Sequence, residues 1–200
     1  MLSRFSPYLL WGFLSLPAVG MLTEAATAES TREIHGLLHP TGEWAARLLI
    51  ITLMATPLMV LFRKQAWPRW FVRNRRYLGV AAFGYAVLHL AAYLWTEPVA
   101  RWIAELTETE IWTGWVAFLI FVPLALTSHD WWVRKLGTTW KPLQRMTYAA
   151  AVFTLVHWAA LHDWGSTGAA LANFAPLIAL EAYRVWWFWL RPRPPMATAV

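Results

Sequence analysis

GYAVLHLAAYLW at residues 84–95 and TYAAAVFTLVHWAALH at residues 147–162 each set one histidine, His89 and His157, inside a long apolar run. Each histidine follows by 13 residues the position that opens its run, Arg76 or Gln144. If both runs are helices crossing a bilayer in the same direction, the two imidazoles lie at one depth. Gly79, Ala82, Ala86 and His89 recur at three- and four-residue intervals and share a helix face, as do Thr147, Ala150, Thr154 and His157. Small residues beneath each histidine let a helix or a flat ligand approach closely. Two neutral imidazoles facing each other at one depth form the ligand set of a haem iron held from both sides. Helix packing explains one such histidine; two on matched stripes favour haem ligation. An iron so held is six-coordinate, with no position for oxygen or substrate, and electron transfer is the expected role.

The composition sets this pair in a membrane. Of 200 residues, 58% are hydrophobic and 14% charged, with 16 Trp. A spanning helix needs about 20 mostly apolar residues. Six stretches qualify, at roughly 6–22, 42–62, 77–95, 111–127, 143–161 and 171–190. The expected fold is all-α, a single domain over residues 1–200 built as an integral membrane bundle of six transmembrane helices. The first stretch ends near Ala26-Thr27-Ala28, which imitates a signal-peptide cleavage site, but it reads as a retained first span.

Charge fixes the orientation and removes a soluble alternative. The net charge of +6 could suggest nucleic acid. With the N-terminus inside, however, every basic residue except Arg32, Arg47 and Arg101 falls at Arg4, in the loops 63–76 and 127–145, or from Arg184 onward. That is the positive-inside pattern, so both termini are expected in the cytoplasm and no nucleic-acid partner is implied. The basic run RKQAWPRWFVRNRR at 63–76 attracts anionic headgroups and is a candidate docking surface for an acidic electron donor. With no cysteine, thiolate catalysis, cysteine-ligated clusters and covalent haem attachment are excluded.

The connections add candidates. Ser6-Pro7 reads as N-cap and first position of the first helix, and Asn74 as the cap of the third. Thr107 and Glu110 match a capping box for the fourth, and the segment from Val99 to Leu106 is amphipathic enough to lie on the outer membrane surface. His39, in HPTG at the outer face, is a tentative cofactor-binding residue. Arg47, about 7.5 Å below the outer end of its helix, is a tentative partner for a haem carboxylate. His129 and Asp130 read as a solvated loop, Glu181 and Arg184 pair at i,i+3, and Arg191-Pro192-Arg193-Pro194-Pro195 reads as a stop-transfer tail. No internal repeat stands out.

Counting 13 residues at about 1.5 Å each puts the iron about 20 Å from the cytoplasmic ends of its helices, toward the outside. A second haem nearer the cytoplasm would want histidines near positions 76 and 144, where Arg76 and Gln144 stand. One haem b is therefore expected, and electrons from the cytoplasm need a further relay such as flavin or quinone.

HPTGEWAARLL, TPL, RNRRYLGVAAFGYAVLHLAAYLW, TSHDWWVRKLGTTWKPLQRMTY and LVHWAAL, in that order from about residue 35 to 162, resemble the MsrQ (YedZ) family. These are haem-binding membrane subunits of the MsrPQ methionine sulfoxide reductase system, within the wider group of ferric reductase-like transmembrane domains. The resemblance implies a bacterial inner-membrane protein that takes electrons from the quinone pool or a cytoplasmic flavin reductase. It would deliver them to periplasmic MsrP, which reduces methionine sulfoxide in oxidised proteins, so the chain would be an electron-transfer subunit with no catalytic residue of its own. It also implies that His89 and His157 are the axial ligands, that His39 matches the family's outer histidine, and that FMN is an associated cofactor. Gln144 departs from members with a further histidine there. The nearest rival is another haem-dependent membrane reductase, ferric, cupric or b561-like. A rival of another class, a channel or transporter using Arg47, Glu181 and the histidines, has few midplane charges in its favour.

Overall fold

The computed structural model describes residues 2–192, with side chains from Pro7 onward, and every regular element among them is helical. In chain order these are α1 (Leu2–Thr27), α2 (Thr31–Gly36), α3 (Leu38–Leu61), α4 (Pro68–Thr96), α5 (Val99–Ala104), α6 (Thr109–Leu126), α7 (Asp130–Leu136), α8 (Trp140–Arg145), α9 (Thr147–Ala160) and α10 (Thr167–Val185). A 3₁₀ turn, Gly137–Thr139, joins α7 to α8, and a π-turn, Trp186–Leu190, closes α10. Four segments, Pro7–Thr27, Thr31–Leu61, Pro68–Thr96 and Thr109–Leu126, are long and apolar enough to cross a bilayer. This is a multi-pass membrane protein. The stretch expected at 143–161 is divided instead, because the chain breaks at Met146 and leaves α9 only 14 residues.

Several local expectations change. Asn74 does not cap a helix: α4 begins at Pro68, whose missing N–H suits the first helical position. Asn74 is buried within α4 and donates to the Trp70 carbonyl. Thr107 is not an N-cap either, since α6 starts at Thr109 with Glu108 in the capping position. Pro7 and Pro17 both lie inside α1. The tail beyond Pro192 lies outside the described residues.

The core is four helices packed in two pairs, α3 against α4 and α6 against α9; α10 covers α3 and α9, and α1 lies on α4. In lipid, close packing rather than water exclusion drives helix association. Ala82, Ala150 and Ala170 are each 0% exposed, marking where the helices approach most closely. The hydroxyl of Tyr85 ties α1 to this core. It donates to the Leu14 carbonyl (2.7 Å) and accepts from the Ala18 N–H (3.1 Å), inserting into one turn of α1 beside Pro17.

Arg76 of α4 and Gln144 of α8 are both fastened at the C-terminal end of α6. Arg76 donates to Asp130 (2.7 Å) and to the Ser128 carbonyl (3.3 Å). Gln144 donates to the Leu124 carbonyl and the Thr127 hydroxyl, both at 3.1 Å. The two positions from which the histidines were counted therefore both bind at that end of α6; continuous helix runs from Arg76 to His89, whereas the stretch from Gln144 to His157 is interrupted at Met146.

Candidate haem site

The histidines meet. The ring centres of His89 and His157 are 6.0 Å apart, with their planes at 81°. An iron–imidazole bond of about 2 Å on each side, with about 1 Å from ligating nitrogen to ring centre, spans about 6 Å. The separation is that of two rings sharing one iron.

Each ring is aimed by a backbone carbonyl. Nδ1 of His89 is 2.9 Å from the Leu38 carbonyl oxygen, and Nδ1 of His157 is hydrogen-bonded to the Glu110 carbonyl. A carbonyl only accepts, so both imidazoles carry their proton on Nδ1 and turn a bare Nε2 lone pair away from the helix that holds them. Metal-ligating histidines are oriented in this way.

The two half-sites repeat. Leu38 and Glu110 lie in the first turns of α3 and α6. Three residues on come the buried threonines Thr41 and Thr113, whose hydroxyls turn back to the carbonyls of Leu37 and Thr109. Next come Gly42 and Gly114, against which the rings lie. A β-carbon on Gly42 would sit 3.0 Å from His89 Nδ1, and one on Gly114 2.8 Å from His157 Nδ1. Ala45 and Ala117 follow one turn later, and both line the space between the histidines. The only sequence trace of this duplication is T-G-x-x-A at 41–45 and 113–117.

That space is a cleft walled by Ala86, Trp115, Phe118 and Thr154 besides the two histidines and their glycines. Ala86 and Thr154 belong to the small stripes read from the sequence. The wall is mostly apolar, as a porphyrin face requires. One polar group in it lacks a partner: the hydroxyl of Tyr93, one turn above His89, is buried and makes no hydrogen bond. A buried phenol without an acceptor is costly and leaves a donor open to one, such as a carboxylate. Imidazole spacing, bare Nε2 atoms, glycine cradles and the orphan phenol all fit a haem.

The other candidates sit apart. Arg47 is bound by Glu43 (3.0 Å) and Asn173 (3.4 Å), and neither it nor His39 lines the cleft. His39 lies 3.5 Å from Glu43, with 72% of its side chain exposed. His162 faces Ser166, in a turn where His162, Asp163 and Trp164 all have positive φ. His129 caps α7 by accepting from the Trp131 N–H, while Asp130 pairs with Arg76 rather than with His129. Glu181 and Arg184 are paired at 3.0 Å.

Residues 41–155 match the family described as ferric reductase like transmembrane component. The chain is 37% identical over 171 residues, 82% of its length and 73% of the relative's, to the protein-methionine-sulfoxide reductase heme-binding subunit MsrQ of Xanthomonas campestris pv. campestris strain 8004. It is 30% identical over 190 residues, 90% of its length and 84% of the relative's, to the protein of the same name from Ralstonia nicotianae. A third, from Brucella anthropi, is 38% identical over 123 residues, 60% of this chain and 54% of the relative. No solved structure matches the chain.

Proposed function

This chain belongs to the MsrQ haem-binding subunits among the ferric reductase-like transmembrane components, and on that premise we propose that it carries electrons across the bacterial inner membrane through one haem b held by His89 and His157. The observation that carries the reading is the 6.0 Å pair of rings, each with Nδ1 engaged and Nε2 free. A haem held there by His89 and His157 would supply a one-electron couple. The chain supplies position, tautomer and exclusion of water. Leu38 and Glu110 hold the Nδ1 protons, Gly42 and Gly114 set how closely the rings approach their helices, and the cleft wall keeps the medium apolar. The Tyr93 hydroxyl is placed to donate to a carboxylate at the cleft edge; Arg47 and His39, joined through Glu43, form a polar rim outside it.

Six spans with both termini cytoplasmic fit the distribution of the basic residues, α9 completing its crossing together with α8. In that orientation the cleft opens toward the periplasm. Electrons enter from the quinone pool or a cytoplasmic flavin reductase, with FMN as an associated cofactor, and leave to periplasmic MsrP, where methionine sulfoxide is reduced. The outer segments 23–41 and 96–110 are the surface on which MsrP would dock.

The test is a redox-resolved absorption spectrum with haem quantified per chain. One reducible, six-coordinate b-type haem is expected, lost in both His89→Ala and His157→Ala. A colourless wild type, or a low-spin spectrum surviving both substitutions, would overturn the proposal; reoxidation by ferric chelates but not by MsrP would move the chain to another reductase.

A further inference from the structure

The inner ends of the helices enclose a second cavity whose two ends differ in chemistry. Arg75, Arg76, Lys141, Arg145 and Arg184 line it, and no lining residue is acidic. Arg76 and Arg184 are committed to Asp130 and Glu181. Among the described residues no carboxylate lies within ion-pair distance of Arg75, Lys141 or Arg145, and all three are exposed. Three cations from two segments therefore converge on one mouth without a counter-ion, an arrangement that repels itself and favours an anion between them.

Farther in, the lining is hydrocarbon. Phe83 lies seven residues along α4 from Arg76, a rise of about 10 Å, and Leu49, Leu53 and Phe121 complete the floor. A small inorganic anion would use the cationic rim alone; a phosphate that continues into an acyl chain uses both ends. The cavity also has a lateral exit. On one side of the seam between the two helix pairs α10 packs over α3 and α9, whereas no other described helix packs over both α4 and α6 on the opposite side. Phe83 and Phe118 meet across that open seam, ring centres 5.7 Å apart, and a chain leaving between α4 and α6 passes into the bilayer. In the orientation proposed above this is the cytoplasmic leaflet, where anionic phospholipids attract clustered Lys and Arg.

We propose that the inner cavity is a site for one anionic phospholipid of the phosphatidylglycerol class, its phosphate held by Arg75, Lys141 and Arg145 and one acyl chain laid over Leu53, Phe83 and Phe121 toward the α4–α6 seam. Arg and Lys are the side chains that hold phosphate, Arg through its fork of donors and Lys as a point charge. The basic run at 63–76 attracts headgroups at large; the cavity singles out Arg75 from that run and sets it beside two cations of α8. A phosphate there ties α4 to α8 and cancels their repulsion, and the chain fills the apolar floor. The choice of leaflet rests on the proposed orientation; the site itself rests on neither that orientation nor the haem.

The experiment counts phospholipid retained by the purified full chain in neutral detergent, read by native mass spectrometry after exchange with equal amounts of phosphatidylglycerol and phosphatidylcholine. One phosphatidylglycerol per chain is expected, retained roughly tenfold or more over phosphatidylcholine, with haem loaded and without it. In Arg75→Gln/Lys141→Gln/Arg145→Gln retention falls severalfold or more while the haem absorption is unchanged. In Arg69→Gln/Arg73→Gln/Arg134→Gln, which removes equal charge from residues outside the cavity, retention stays near that of wild type. Equal retention of the two lipids, no retention of either, or equal loss in both triple variants overturns the proposal, and the wild-type comparison decides it even if a variant does not fold. Displacement of the lipid by glycerol 1-phosphate at comparable concentration, which offers the phosphate without the chain, makes this a site for a soluble phosphate and overturns it as well. Phosphatidylglycerol retained by a chain that takes up no haem would leave this site standing while the haem assignment fails.

Discussion

Gly114 and His157 are packed so closely that a β-carbon on the glycine would lie 2.8 Å from the imidazole Nδ1. Side chains do not approach that near, so Gly114→Ala must push the ring off the Glu110 carbonyl or push α9 away from α6. Either change misdirects Nε2. Gly42→Ala meets His89 at 3.0 Å, a contact that a few tenths of an ångström relieve. Disturbing the groups that aim a metal ligand weakens metal sites by roughly 10–100-fold. Haem retention, measured by transfer to apomyoglobin, is expected to fall at least tenfold in Gly114→Ala and less in Gly42→Ala. Equal retention in wild type and Gly114→Ala would remove the cradle from the account of the site.

The ring planes of His89 and His157 stand at 81°. Near-perpendicular imidazoles leave the ferric d-orbitals close to degenerate, whereas parallel ones split them. Low-temperature EPR of the oxidised protein is therefore expected to show a highly anisotropic low-spin signal, with one large g value and the others broad. A well-resolved rhombic triplet would mean that the rings rotate toward parallel when the haem binds.

Much of this site was legible in the sequence, and the part that was not has a physical reason. The equal 13-residue spacing from Arg76 and from Gln144 pointed to the two histidines as a pair, although the helix that carries His157 starts only at Thr147. The small residues beneath them announced a close approach. The cradle opposite was hidden because its working groups are the backbone carbonyls of Leu38 and Glu110, and any residue supplies a carbonyl. Its two glycines look like ordinary helix contacts until the rings are seen against them. Asn74 misled because it precedes an apolar run, while the helix had already begun at Pro68.

The orphan hydroxyl of Tyr93 gives a prediction whose sign depends on occupancy. In apoprotein the buried phenol lacks an acceptor, which costs on the order of 1–3 kcal/mol, so Tyr93→Phe is expected to leave the thermal midpoint unchanged or raise it. With haem bound, a carboxylate supplies the acceptor and the same substitution should lower the midpoint and the haem affinity. Opposite shifts in the two states, measured by melting each form, identify Tyr93 as a carboxylate anchor. A shift of the same sign in both would make it a packing residue.

Arg76 and Asp130 provide the pH dependence. The Arg76 hydrogen bond, then its charge, holds the exposed Asp130 carboxyl below its ordinary value of 3.8. A depressed carboxylate contributes stability above the unfolded-state pKa and loses it as pH falls through the lower folded value. The link between α4 and α7 should therefore be fully made from neutral pH down to about 5, weaken as pH passes below about 4, and be lost below the folded-state value. Asp130→Asn removes the titrating group. Its thermal midpoint is expected to lie slightly below wild type at pH 7, since an exposed pair contributes little, and to converge with wild type as pH is lowered from 5 to 3. The same convergence should appear in amide exchange at the inner end of α4. A gap between the two proteins that stays constant across this range would show that Asp130 stays ionised throughout it or that its contact with Arg76 does not depend on charge.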